Sequence, residues 1–445
     1  MGSHGIFFWN LTGVYLAKHT GTTPFGVKAG YGSSKVTGTL TNVNVSTSMS
    51  NYTDWGSGAI EIYNNAEVTI NGGEITDSQY GVWVDNHYAA QGATGATAAK
   101  VTLNGVQISA SADAVLVYGS GEADSDRTAS VDINGGTFTG NIAVYGIAAT
   151  GKESASIKKA TITGDVVNEN GGSVAVVDST INGNVPDSSS TSTTIINSMV
   201  NNTLTNTTPD GAVALVGANT YDNLHTAIEA AKTGENKTVT LLSSIEEASW
   251  NMIWNMEGIT LDGDGNTLKI NEIQSGQNHD AVFHSLGGNT FKDLIIDLTE
   301  VADDSQAQGS RAFSAAPGDT FSNVTIKGNE HIGYGITVGG TTATGETLSI
   351  DNCKFENVGI GVYDSSDGGE NKVDDLDITN STFTNCGIVG VIRVEDTTFT
   401  GNTVTNSSEL SLAITDEGKA TVTGNTFQDA GKIWFAGADL GKVTF

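Results

Sequence analysis

A chain that writes one phrase again with changed words builds one structural unit several times. SIDNCKFENVGIGVYD begins at Ser349, and DITNSTFTNCGIVGVIR begins at Asp377. Phe355 and Phe383 hold the same place in the two. Each is followed two residues later by Asn, then by a Gly-containing apolar run. FTGNTVTN and VTGNTFQD continue the series. Phe355, Phe383, Val404 and Phe427 therefore fall in one register, with Asn357, Asn385, Asn406 and Asp429 just after them. The first half behaves alike. INGGEITD, LNGVQISA, INGGTFTG, IKKATITG and VDSTINGN align Ile75, Ile108, Phe138, Ile162 and Ile181, and INSMVNN adds Val200.

Units of about 19 to 33 residues with two or three short strand-like runs, Asn/Gly turns and no helical period specify an all-β chain folded as a β-solenoid. Inward residues stack on their equivalents in the next rung, about 4.8 Å away. The turn asparagines are expected to stack as well, each amide bonding the next. A leucine-rich repeat would show an L-x-x-L-x-L frame. A propeller would show units of about 40 residues with a Trp-Asp signature. The chain has neither.

Composition narrows the partners. The net charge is −30, from 50 acidic against 20 basic residues, which repels phosphate backbones and argues against nucleic acid. Cys353 and Cys386 occupy non-equivalent places in the repeat, so free, buried thiols are expected rather than a disulfide. No apolar run reaches the roughly 20 residues of a membrane span. MGSH at the start reads as a vector remnant and GKVTF at the end reads as a strand. The expectation is a piece of a longer surface protein whose export signal or wall anchor lies elsewhere.

The rungs resemble the right-handed parallel β-helix superfamily, known from pectate lyases and from many bacterial surface proteins. ANTYDNLHTAIEAAKTGENKTVTLLSSI strengthens the resemblance. Leu224, Ile228 and Ala231 make an apolar stripe at helical spacing, bounded by Asn219/Thr220 before and Gly234 after. A helix at 221–232, a strand and then GITLDGDGNTLKI is similar to how β-helix domains of this superfamily begin, with the helix capping the open coil. The resemblance implies two tandem right-handed parallel β-helices, at 1–207 and 238–445, joined by a connector at 208–237 that carries the capping helix. The alternative is one continuous solenoid with the helix as a side insertion. The Pro209-Asp210-Gly211 turn favours a boundary. The resemblance also implies an extracellular place on a bacterial cell surface, and names no activity.

Insertions locate the candidate sites. In the first half they follow the apolar runs YGVWV, AVLVY and IAVYGIA, and stacked rungs would turn them into one wall. That wall carries Trp83, Asp85, His87, Tyr88, Tyr118, Asp124 and Arg127, with Glu122 beside them and Asp54 and Trp55 in the preceding rung. Rings pack on the apolar faces of sugars while carboxylates accept their hydroxyl hydrogens, so a glycan is the expected ligand. The plain alternative is a set of solvated loops. GVWVDNHY resembles the Trp-x-Asp-His strand of pectate lyases, except that Asn86 separates Asp85 from His87. EADSDRT offers Asp124 and Asp126 as a weak calcium pair, without the Gly and closing Glu of an EF-hand. No cofactor is expected, with calcium left open.

In the second half Asp364, Arg393, Glu395 and Asp416 are candidates for one exposed catalytic column. Glycosidases need two carboxyl groups about 5–5.5 or 6.5–9.5 Å apart, and neighbouring rungs can supply that. A uronate lyase would instead set a base such as Arg393 against an acid such as Asp364. No His pair has metal-ligand spacing, and no nucleophile elbow or phosphate loop is present. Two readings stay open. One is an adhesin-like surface module or stalk, monomeric and glycan-binding. The other is a carbohydrate-active enzyme, a glycoside hydrolase or polysaccharide lyase. Assembly through open coil ends is a third idea.

Overall fold

The structure is a computed structural model. It describes residues 11–12, 15–19, 25–29, 35–47, 58–86, 97–119, 127–146, 152–185, 192–207, 211–234, 236–273, 281–301, 310–338, 347–364, 374–413, 418–436 and 440–444. Strand is the dominant structure of these residues, with a single α-helix among them. The chain divides into two compact units, Met1–Asp210 with Gly217–Asn219, and Gly211–Val216 with Thr220–Phe445.

In the first unit parallel strands pair residue on residue. Val45, Ile75, Ile108, Phe138, Ile162, Ile181 and Val200 form one column, each opposite the next. Leu40, Ile70, Leu103, Ile133, Ile157, Val176 and Ile195 form a second. Ile60, Val82, Val115, Ile142 and Val166 form a third. The three columns meet in one buried apolar core. Ala98–Tyr118 and Thr128–Tyr145 run on through the corners, so the faces join into one hydrogen-bonded sheet. The last rung is covered differently. Thr203–Thr207 turns back antiparallel on Ser192–Val200, which blocks that strand edge. The sequence places this stretch at the end of the first parallel β-helix and gives no sign of the reversal, because rung equivalence carries no signal for one.

In the second unit the chain visits three sheets in rotation, one of 11 strands and two of 8, and the strands from Thr238 onward pair in parallel with one another. The arrangement is consistent with a β-solenoid. Phe355 lies opposite Phe383, Phe383 opposite Val404, and Val404 opposite Phe427. The Phe355 and Phe383 rings stack at 4.7 Å with planes 2° apart. Phe291 and Phe321 stack in the same way at 5.0 Å. Both thiols are free and buried, at different turns of the coil. Burial pushes Cys353 up to about 12 and Cys386 up to about 11.

The turns rest on Asn and Asp in the left-handed region, where their short polar side chains make the strain tolerable. Asn357, Asn385, Asn406 and Asp429 have φ of 56, 55, 48 and 48°. Asn385 Nδ2 donates to Asn357 Oδ1 at 3.0 Å, and Asn406 Nδ2 to Asn385 Oδ1 at 2.8 Å. The outer face shows the opposite rule. Glu246, Lys269, Asp297, Lys327 and Glu356 stand opposite one another in sequence, so the sign alternates at each rung.

The helix is Leu224–Thr233, and Leu224, Ala227, Ile228 and Ala231 bury its apolar face in the second unit's core. It starts later than the periodicity indicates. The Asn223 side chain accepts from the Thr226 amide at 3.2 Å and is the true cap. Asn219–Tyr221 is a strand instead. Ala214–Val216 pairs antiparallel with Thr238–Leu241, so the sheet begins ahead of the helix.

One acid is sealed in this core. The Asp319 carboxylate accepts from the Ala316 amide at 2.9 Å and from the Asn289 amide and side chain at 2.9 and 3.1 Å. Burial outweighs these bonds and pushes its pKa up to about 6. A raised carboxyl pKa means that the folded state holds the proton more tightly than the unfolded one. The contribution is full below about pH 4 and is lost as pH rises through about 6. Acidification from pH 7 to 5 should therefore raise the melting temperature of the wild type relative to Asp319→Asn, and parallel profiles would refute this. Asn385→Ala should cost about 1–2 kcal/mol in urea unfolding and Asn385→Gly less, because only the first keeps a strained left-handed residue.

Candidate functional site

Alternation along the strands of the first unit fixes which side chains leave the core. Ile60, Val82, Val115, Ile142 and Val166 point inward, so their neighbours at odd offsets point out. Glu61, Trp83, Leu116, Ala143 and Val167 stand opposite one another in one outer column. Tyr63, Asp85, Tyr118, Tyr145 and Glu169 make the next. A register shift in Glu74–Asp85 then sets Tyr80 opposite Asp113, and Asp113 stands opposite Asn141 on its other side.

These residues pack into a small apolar layer outside the coil. Trp83, Leu116 and Ala143 are its buried centre, with Tyr80, Tyr118, Tyr145 and Val167 against them. The Tyr80 and Trp83 rings lie 5.3 Å apart, tilted by 59°. Burial raises the pKa of Asp113, while the Asn141 amide, 3.2 Å from its Oδ1, pulls the other way. Burial and then the Asp113 charge raise Tyr80. Burial, then Asp113, Glu169 and Tyr80, raise Tyr145. One carboxylate thus lies within electrostatic reach of two phenols that stay protonated and can donate. The face combines ring surface, hydroxyl donors and carboxylate acceptors, the set that a sugar ring uses.

Asp113 also heads a turn ladder. Asn141 Oδ1 accepts from the Asp165 amide at 2.9 Å, and Asp165 Oδ1 accepts from the Asn184 amide at 2.7 Å. Asp113 and Asp165 are two rungs apart, about 9.6 Å. Asn141 stands in that interval and bonds to both residues.

The sequence candidates separate cleanly. Trp83, Asp85 and Tyr118 share the outer face. Trp83 lies on a strand and is only 8% exposed, as part of a packed layer and not as a free wall. Asp85 is buried opposite Tyr118. Arg127 is buried just before the strand Thr128–Tyr145. His87, Tyr88, Asp124 and Asp126 lie outside the described residues, as do Asp54, Trp55 and Glu122. Asn86, the interruption in GVWVDNHY, has a structural task. Its Nδ2 donates to the carbonyls of Thr97 at 3.0 Å and Thr128 at 2.8 Å. It ties together the points where the chain re-enters the next two rungs.

The second-half column does not assemble as an exposed pair. Asp364 is 1% exposed, and its Oδ2 accepts from the Arg393 backbone amide at 3.0 Å. The Arg393 side chain is exposed and Glu395 is half-buried, while Asp416 lies outside the described residues. Among the described residues no group of three or more His, Cys, Asp or Glu could hold a metal ion, and no helix is long and apolar enough to cross a membrane.

Tyr80, Asp113, Tyr145 and Glu169 are the residues that sequence reasoning missed. The signal was the shared offset of Tyr118 and Tyr145 in AVLVY and IAVY.

A structural Asp364 gives a clear expectation. Asp364→Ala should cost about 1–3 kcal/mol of unfolding free energy by orphaning the Arg393 amide, and Asp364→Asn less. Unchanged urea midpoints in both variants would contradict that role. No protein-family model matches this chain, and no curated protein matches its sequence.

Proposed function

We propose that the chain is a right-handed parallel β-helix module of a bacterial cell-surface protein, extracellular and monomeric, that binds glycans on the outer face of its first unit. The observation that carries the reading is the face of Tyr80, Trp83, Asp113, Tyr118 and Tyr145, where rings and one raised-pKa carboxylate converge outside the core. The strong acidity supports a soluble, non-nucleic-acid-binding role. The repeat quoted from Ser349 and Asp377 and the stacked parallel sheets support the β-helix assignment.

A second reading has one observation in its favour. A carboxyl group whose pKa burial raises is what a general acid needs, so Asp113 fits a carbohydrate-active enzyme as well.

A single experiment separates them. The protein is incubated with a glycan panel, with and without calcium, and bound ligand and released products are read together by mass spectrometry. Binding without products is expected. Tyr145→Ala should weaken it about tenfold, and Tyr145→Phe, which keeps the ring, less. Products that disappear in Asp113→Asn would establish the enzyme. Wild-type binding in Tyr118→Ala and Tyr145→Ala would remove the site from this face.

A further inference from the structure

The second unit leaves two tryptophans about half exposed, Trp254 at 45% and Trp434 at 51%. They stand on one line. Trp254 follows Ile253, which pairs with Phe283, and its ring lies 5.1 Å from that of His284. From His284 the register runs through Ser314, Thr337, Tyr363, Val391 and Ser411 to Trp434, all on the outer face of one sheet. The two tryptophans therefore mark the first and last of eight strands in the same column. Seven rung steps separate them, about 34 Å.

The column carries one more ring, Tyr363, and Tyr334, which stands opposite Arg311 and Ile360 and not in the column, brings its ring to 5.0 Å from it. The Arg311 guanidinium sits 5.6 Å from the Tyr334 ring centre, and its Nη1 donates to Thr337 Oγ1 at 3.2 Å, which holds the ring in place. Lys432 braces one side of Trp434 at 4.6 Å from the ring centre. Between the rings stand the half-exposed hydroxyls of Ser314 and Ser411. Large rings left partly in water along one column mark a binding surface.

We propose that this column is a second binding strip that holds an extended, uncharged, β-linked polysaccharide lengthwise, parallel to the stacking direction of the rungs. Four features point to that occupant. Rings at both ends and at Tyr363 are separated by positions that include the hydroxyls of Ser314 and Ser411, a mixture that matches sugars and not a lipid. Each residue of such a chain advances by about one rung spacing, so equivalent contacts recur along it. A peptide would seek an unpaired strand edge, and the inner strands of this sheet are paired on both sides. The two cations at the rings already have work, Arg311 on Thr337 and Lys432 on Glu409 at 3.7 Å, so the strip does not call for an anionic ligand. The inference is independent of the first unit's outer face.

The test uses the full chain and neutral gluco-, xylo- and manno-oligosaccharides of increasing length, with affinity read by calorimetry. At least one series should gain affinity with length until the oligomer reaches both tryptophans. Trp254→Ala and Trp434→Ala should each weaken the longest oligomer about tenfold, with no effect on trimers that sit at the opposite end. Unchanged urea midpoints would confirm that these exposed rings do not hold the fold. Affinity that is flat beyond a trimer, or wild-type binding in the double variant, overturns the strip. Tyr145→Ala is measured alongside. Loss of binding there with the tryptophan variants intact leaves the first face standing and removes this one, and the reverse result does the opposite.

Discussion

Parallel pairing in register is the constraint from which the rest follows. It sets each residue against its own equivalent one rung away, so any property of one rung is multiplied along the stack. A buried Phe meets Phe and the rings stack. A turn Asn meets Asn and the amides bond. A charge meets a charge, and there repetition would repel. On one outer column the chain answers with alternation, Glu246 to Lys269 to Asp297 to Lys327 to Glu356. Core, turn and surface therefore obey one geometric rule with opposite consequences for like residues.

That rule is why so much of the fold was legible. The columns through Phe355 and Ile75 need only that equivalent positions share a character, and the sequence displays it directly. The helix start was less legible. Asn219, Thr220 and Asn223 are all fair caps by type, and periodicity does not say which one the preceding strand uses up. The reversal at Thr203–Thr207 left no mark at all, because Thr-rich runs suit parallel and antiparallel edges alike.

The candidate face was half legible for a different reason. Trp83, Asp85 and Tyr118 sit beside obvious insertions. Tyr80 meets Asp113 only through an irregularity in strand register, which no spacing rule reveals. Asp364 is the instructive error. Val362 points inward, so Asp364, two residues on, must point inward too. The alternation was there to read, and the apparent loop after it hid the parity. Function on such a scaffold sits on outward positions between two inward ones, where side chains change without cost to the core.

Asn86 has a wider consequence. By holding the carbonyls of Thr97 and Thr128 with one amide group, it fixes the two re-entry points independently of the chain between them. The coil is thus insulated from what is spliced in at 87–96 and 120–126. The paired strands on either side are joined by a link that does not pass through those segments, so the registration of three successive strands has a second, shorter path than the chain itself.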